Sequence, residues 1–112
     1  MSVRRIFQHH TNKEFYIVVG ACKIQTPQGE WVDGVLYEGM RASIHSGSSV
    51  PLARTLEEFK AKFIARTITA YEQHYRLRPR MLHSYKTVNS GYELLDWSGI
   101  RLHPDDTTPP TT

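Results

Sequence analysis

FYIVVGACKIQTPQGEWVDGVLYEG, residues 15–39, is the stretch whose reading decides the fold. Its first half is dominated by aromatic and β-branched side chains, which suit a pleated, buried surface. Tyr16, Val18, Gly20 and Cys22 alternate with Phe15, Ile17, Val19, Ala21 and Lys23, and both sets begin apolar. A strand apolar on both faces reads as a central one, covered on each side or closed into a small barrel. Gly20 inside the run marks a bulge or a tight bend. TPQGE then supplies a turn: Pro27 presets the first central position, and Gly29 follows where φ is free to be positive. The return run alternates Trp31, Asp33, Val35 and Tyr37 with Val32, Gly34, Leu36 and Glu38, which completes a hairpin.

Outward from the hairpin, VRRIFQHH is β-favouring and Thr11, Asn12 and Lys13 offer a turn. On the other side, residues 41–45 read as a short strand, residues 46–49 as a Ser/Gly loop, and SVPLAR as a last short strand that Pro51 confines to an edge or a strand start. The period then changes. TLEEFKAKFIARTITAYEQHYR reads as one long amphipathic helix, with Leu56, Phe59, Phe63, Thr67, Ala70, Tyr71 and His74 on one face. Thr55 and Glu58 have the spacing of a capping box, and Pro79 ends the helix at or before Arg78. RMLHSYKTV and YELLDWSG read as a C-terminal hairpin. The expected organisation is a single compact domain over residues 1–103 and a flexible tail over residues 104–112. The expected fold is α+β: a small, strongly bent antiparallel sheet, an SH3-like barrel or similar, packed against that one long helix.

The chain has 112 residues, 39% hydrophobic and 22% charged, which suits one globular domain with a core of its own. No apolar run approaches the roughly 20 residues that span a bilayer, so no membrane association is expected. The basic start MSVRRIFQHH lacks the apolar core of a secretory signal, and the single cysteine has no internal partner, so a cytoplasmic location is expected. The net charge of +3 is unevenly distributed: residues 1–86 carry thirteen Lys and Arg against seven Asp and Glu, and residues 87–112 carry one Arg against four acids. A basic body of this kind attracts nucleic acid or an acidic protein, and the acidic tail either screens it or folds back onto it.

Residues 5–63 resemble a small bacterial and phage domain of unknown function. The resemblance rests on an aromatic-X-His start (Phe7, His9), a Tyr-X-Val-X-Gly-X-Ala strand (Tyr16, Val18, Gly20), a return strand (Val35, Tyr37) and an Arg-X-Leu-Glu-X-Phe ending (Arg54, Leu56, Glu57, Phe59). Thr55 stands where that family usually has Pro, and HSGSS lengthens the centre. The resemblance implies a compact, barrel-like domain and brings no established activity, so no catalytic residue follows from it.

The residues themselves point away from catalysis. Cys22 lies in mid-strand without a base or helix N-terminus to depress its pKa, and reads as a small hydrophobe. VVGAC lacks the spacing of a dinucleotide loop and the Walker lysine. His9 and His10 are adjacent, so on a strand they point to opposite faces; with no CxxC or HExxH, neither a metal nor a cofactor is expected. The most informative segment is YEQHYRLRPRMLHSYK, where Arg76, Arg78, Arg80 and Lys86 occur without an acid among them and Tyr75 and Tyr85 flank them. Arginine grips phosphates and tyrosine stacks on bases. A non-enzymatic binding module, phage-like in its resemblance, is therefore expected to contact a host macromolecule. For nucleic acid the contacts are Arg76, Arg78, Arg80 and Lys86, with Arg4 and Arg5; for a protein they are Trp31, Met40 and Trp97. The alternative is a small enzyme or small-ligand-binding protein whose pocket forms only in three dimensions. Oligomeric state is not encoded in any pattern here.

Overall fold

A computed structural model of the chain describes residues 6–40, 50–76 and 91–106. These form an α+β fold around a six-stranded mixed sheet in the order β4-β3-β2-β1-β5-β6. The strands are β1 (Ile6–His9), β2 (Phe15–Gln25), β3 (Trp31–Gly39), β4 (Leu52–Thr55), β5 (Phe63–Arg66) and β6 (Arg101–Leu102). All neighbouring pairs are antiparallel except β5 and β6, which run parallel. The sheet is open, with β4 and β6 at its edges, rather than closed into the expected barrel.

The β2–β3 hairpin forms as its sequence predicts. Gly29 N–H donates to the Thr26 carbonyl at 2.9 Å and Thr26 N–H to the Glu30 carbonyl at 2.7 Å, with Gly29 at φ +88°. The register slips between Val18 and Gly20, a bulge at the place the glycine marked. Its consequence is a change of phase. Val18 stands opposite Tyr37, but beyond the bulge it is Ala21 that stands opposite Val35 and Cys22 that stands opposite Gly34. Cys22 therefore leaves the Tyr16–Val18 face on which strict alternation had put it.

The long helix does not form as one piece. Residues 55–76 divide into α1 (Leu56–Lys62), the strand β5, and α2 (Ile68–Tyr75). Thr55 caps α1, its hydroxyl accepting from Glu58 N–H at 3.2 Å, and Thr67 caps α2 by accepting from Ala70 N–H at 3.0 Å. The Glu58 carboxylate does not face back to the cap but lies 3.5 Å from Arg54. Two causes act against a continuous helix. Ile64, Thr67, Ile68 and Thr69 crowd β-branched side chains into one turn and a half, lowering helix propensity. Phe63 and Ala65, two residues apart, are both buried when extended, and β1 gains a ladder from His9↔Phe63 to Ile6↔Arg66.

β5 thus carries the chain from one face of the sheet to the other. On the first face Phe7, Val18, Val35, Tyr37, Phe63 and Ala65 pack against Leu56 and Phe59 of α1 and against Tyr92 and Leu95. On the second face Ile6, Phe15 and Ile17 pack against Met40 and against Ala70 and Tyr71 of α2. The apolar residues assigned to one helical face are buried, but in two cores. Residues 92–94, expected in a strand, form a 3-10 turn (Tyr92–Leu94), whose exposed Leu94 could not have alternated into a core. The first residues of the expected tail form another (Pro104–Asp106), where Asp106 accepts from Arg66 at 2.6 Å. The acidic C-terminal stretch does fold back onto the basic body at this point. The strands expected at residues 41–45 and 80–88 lie outside the described residues.

Candidate functional site

The richest assembly of polar side chains lies on the first face, around the Phe63 ring. Phe63 is where α1 ends and β5 begins: its backbone is already extended and its N–H still bonds the Phe59 carbonyl. Its ring stacks on Phe59 at 4.1 Å. Around it stand His9 at 5.0 Å, Tyr37 at 5.3 Å and Tyr16 at 5.4 Å, each edge-on, with the Arg54 guanidinium 5.9 Å above the ring. These residues come from β1, β2, β3 and β4. They converge because each occupies the first-face phase of its strand.

Two hydrogen bonds fix the polar ends. Arg54 Nε donates to the Tyr37 hydroxyl at 2.8 Å, and Asn12 Nδ2 donates to the Tyr16 hydroxyl at 3.2 Å. With Nε engaged and its plane over Phe63, Arg54 turns its outer nitrogens toward the rim, where Nη1 meets the Glu58 carboxylate at 3.5 Å. The Arg54 side chain is 29% exposed and that of Glu58 56%, so a half-buried cation faces one loose, solvated counter-charge. Ion pairs of that kind contribute little.

His9 stands beside this cation on the same ring. Its Nδ1 accepts from the backbone N–H of Thr11 at 3.1 Å and of Asn12 at 3.4 Å, which places the proton of the neutral ring on Nε2. Burial lowers its pKa from the ordinary 6.5, and the positive neighbours His10, Arg54 and Lys62 lower it further. The His10 ring stacks on His9 at 5.2 Å, and His10 N–H donates to the Lys62 carbonyl at 3.0 Å. The two histidines therefore share a side of the molecule, because β1 ends at His9 and His10 already belongs to the turn. The opposite-face geometry expected of them does not apply. Among the described residues no group of three or more His, Cys, Asp and Glu is placed to hold a metal.

Of the sequence-predicted contacts, Arg76 is exposed and caps α2 in the left-handed region at φ +54°. Arg4, Arg5, Arg78, Arg80 and Lys86 lie outside the described residues. Trp31, Met40 and Trp97 do not make one surface. Met40 is 1% exposed, inside the second core. Trp97 stacks on Phe7 at 5.4 Å on the first face and donates from Nε1 to the Tyr92 carbonyl at 2.8 Å. Only Trp31, on the far half of the hairpin, is free to meet a partner, at 63% exposure. Cys22 is half-buried and burial raises its thiol pKa, away from the thiolate form. No helix among the described residues is long and apolar enough to cross a membrane.

Sequence reasoning missed Lys62, which read as the polar side of a continuous helix, and did not bring His9, Tyr16, Tyr37 and Arg54 together. The four are spread over forty-six residues of chain and are joined only in space, around the Phe63 ring. Comparison with family models, with curated proteins and with solved structures finds no match to this chain.

Proposed function

We propose that the protein is a non-enzymatic binding module that contacts a polyanionic macromolecule of its host, nucleic acid foremost, through its basic surface. The observation that carries this reading is the half-buried Arg54 at one end of the sheet, held by the Tyr37 hydroxyl beside Phe63 and His9, with Glu58 as the acid paired to it among the described residues and Lys62 among the charges that, after burial, lower the His9 pKa. Positive groups held together against mutual repulsion are relieved by an anion, and a phosphate backbone supplies anions in series. Arg76, exposed at the end of α2, leads into Arg78, Arg80 and Lys86, which extend the basic character along the sequence. The phage-like resemblance agrees with a small module acting on host material, and the half-buried Cys22 with its raised pKa supplies no nucleophile.

Affinity purification of the full chain with and without nuclease tests the reading. Nuclease-sensitive recovery and an affinity that falls with salt, with a log–log slope of about −0.7 to −0.9 per phosphate contacted, are expected. The exposed Trp31 favours a second reading, contact with an acidic protein through an aromatic anchor. Nuclease-resistant capture that is lost in Trp31→Ala selects it.

A further inference from the structure

We propose that the Phe63-centred cluster is a phosphate-binding site, in which Arg54 holds the phosphate group and Lys62, the chain neighbour of Phe63, and His9 stand beside it. This deepens the function proposed above and rests on it for the partner, though not for the site.

Three observations point to this place rather than to the basic residues in general. Arg54 is aimed before any ligand arrives: the Tyr37 hydroxyl takes its Nε, and its guanidinium carbon lies over the Phe63 ring at 5.9 Å. An arginine so restrained loses little conformational entropy on gripping an oxyanion, which is how planar guanidinium groups become specific. The charge there is not neutralised, since the Glu58 carboxylate is solvated and 3.5 Å away. By contrast Arg66 is fully engaged by Asp106 at 2.6 Å, with both side chains buried, and Lys23 by Asp33 at 2.7 Å. The site also holds a group that responds to an anion. Burial first, and then His10, Arg54 and Lys62, make protonation of His9 unfavourable, and the carboxylate of Glu58 is the acid on the α1 side. A phosphate among them reverses the sign of the local field, and so favours the His9 cation it meets. The shared chemistry is the phosphate group, whether carried on a nucleic-acid backbone or free as inorganic or pyrophosphate.

The test uses the full chain and two probes, a labelled oligonucleotide followed by fluorescence anisotropy and pyrophosphate followed by the NMR resonances of the His9 ring. Arg54→Gln and Lys62→Gln are each expected to weaken oligonucleotide binding about five- to tenfold at low salt and to reduce the salt slope by about 0.7–0.9, one phosphate contact. Tyr37→Phe, which keeps the arginine and removes only its guide, is expected to weaken binding about two- to threefold. Lys23→Gln, on the hairpin, is expected to bind as wild type. Among the described residues the Lys62 side chain donates no hydrogen bond and forms no ion pair, so its variant keeps the test open where Arg54→Gln fails to fold. Oligonucleotide binding that is unchanged in both Arg54→Gln and Lys62→Gln overturns the site and leaves the wider reading standing. His9 resonances that move with pyrophosphate, and do not in Lys62→Gln, support the site; if no oligonucleotide binds in that case, the nucleic-acid reading falls and the free phosphate remains. No response to either probe overturns both.

Discussion

Arg66 and Asp106, forty residues apart, meet as a buried ion pair at 2.6 Å, with side chains 11% and 6% exposed. The pair is embedded in further bonds. Arg66 Nη1 donates to Gln8 Oε1, Thr67 Oγ1 donates to Asp106 Oδ1 at 3.3 Å, and the guanidinium lies 5.5 Å over the Phe15 ring. Removing one member leaves the other charge without its counter-charge in a site largely withdrawn from water. Asp106→Ala is expected to lower stability by about 3 kcal/mol, read as a shifted urea midpoint. Arg66→Met combined with Asp106→Ala is expected to recover part of that loss, and a double variant no better than the single shows that packing rather than charge is at stake.

The histidine beside Arg54 makes stability depend on pH. The folded-state pKa of His9 lies below its ordinary value of 6.5, through burial first and then through His10, Arg54 and Lys62. The unfolded chain therefore takes up the proton first. Stability is full above pH 6.5 and declines as pH falls through the folded pKa. Thermal unfolding between pH 7.5 and 5 is expected to show this fall, and His9→Gln to flatten it. Oligonucleotide affinity is expected to run the other way, tightening over the same window as His9 gains its charge.

Gly34 is held to glycine by its neighbours rather than by its backbone angles. A Cβ there would stand 2.6 Å from Ile24 Cδ1 and 2.8 Å from Cys22 Sγ. Gly34→Ala is expected to cost about 1–2 kcal/mol through overpacking. Ile24→Ala in the same chain removes the nearer obstacle and is expected to restore most of the loss by the same denaturation assay.

Phe63 joins the first-face core to the cluster of Arg54, His9, Tyr16 and Tyr37, and is 1% exposed. Phe63→Ala is expected to cost about 3–5 kcal/mol, the range for a truncated core aromatic. Phe63→Leu keeps much of the volume and loses the ring beneath Arg54, so it is expected to fold and to bind phosphate more weakly than wild type.

The hairpin was legible because its signals are local. Alternation, Pro27 and Gly29 act within a few residues, and Gly20 marked the bulge. The phase change beyond that bulge was not, since an inserted residue leaves no trace in composition. The break at Lys62 was hidden for a different reason. No glycine or proline stands there, and Phe59, Phe63 and Thr67 keep a helical period. What decides the outcome is β1, some fifty residues upstream, whose unpaired edge Phe63 and Ala65 satisfy. Met40 and Trp97 misled as surface candidates because large apolar residues near turns look alike whether they anchor a partner or close a core. Arg54 and His9 were visible individually, and only the register of the sheet brings them to one place.

The path of β5 across the sheet also bears on how the molecule comes together in time. The β2–β3 hairpin needs only neighbouring residues and can zip on the order of microseconds. β5 reaches β1 only after a loop of about fifty residues closes, an entropic hurdle that contacts distant in sequence must pass before they are rewarded. The strand that separates the two helices is thus expected to join late in assembly, and a nascent chain interrupted before Phe63 would present an unfinished edge to its neighbours.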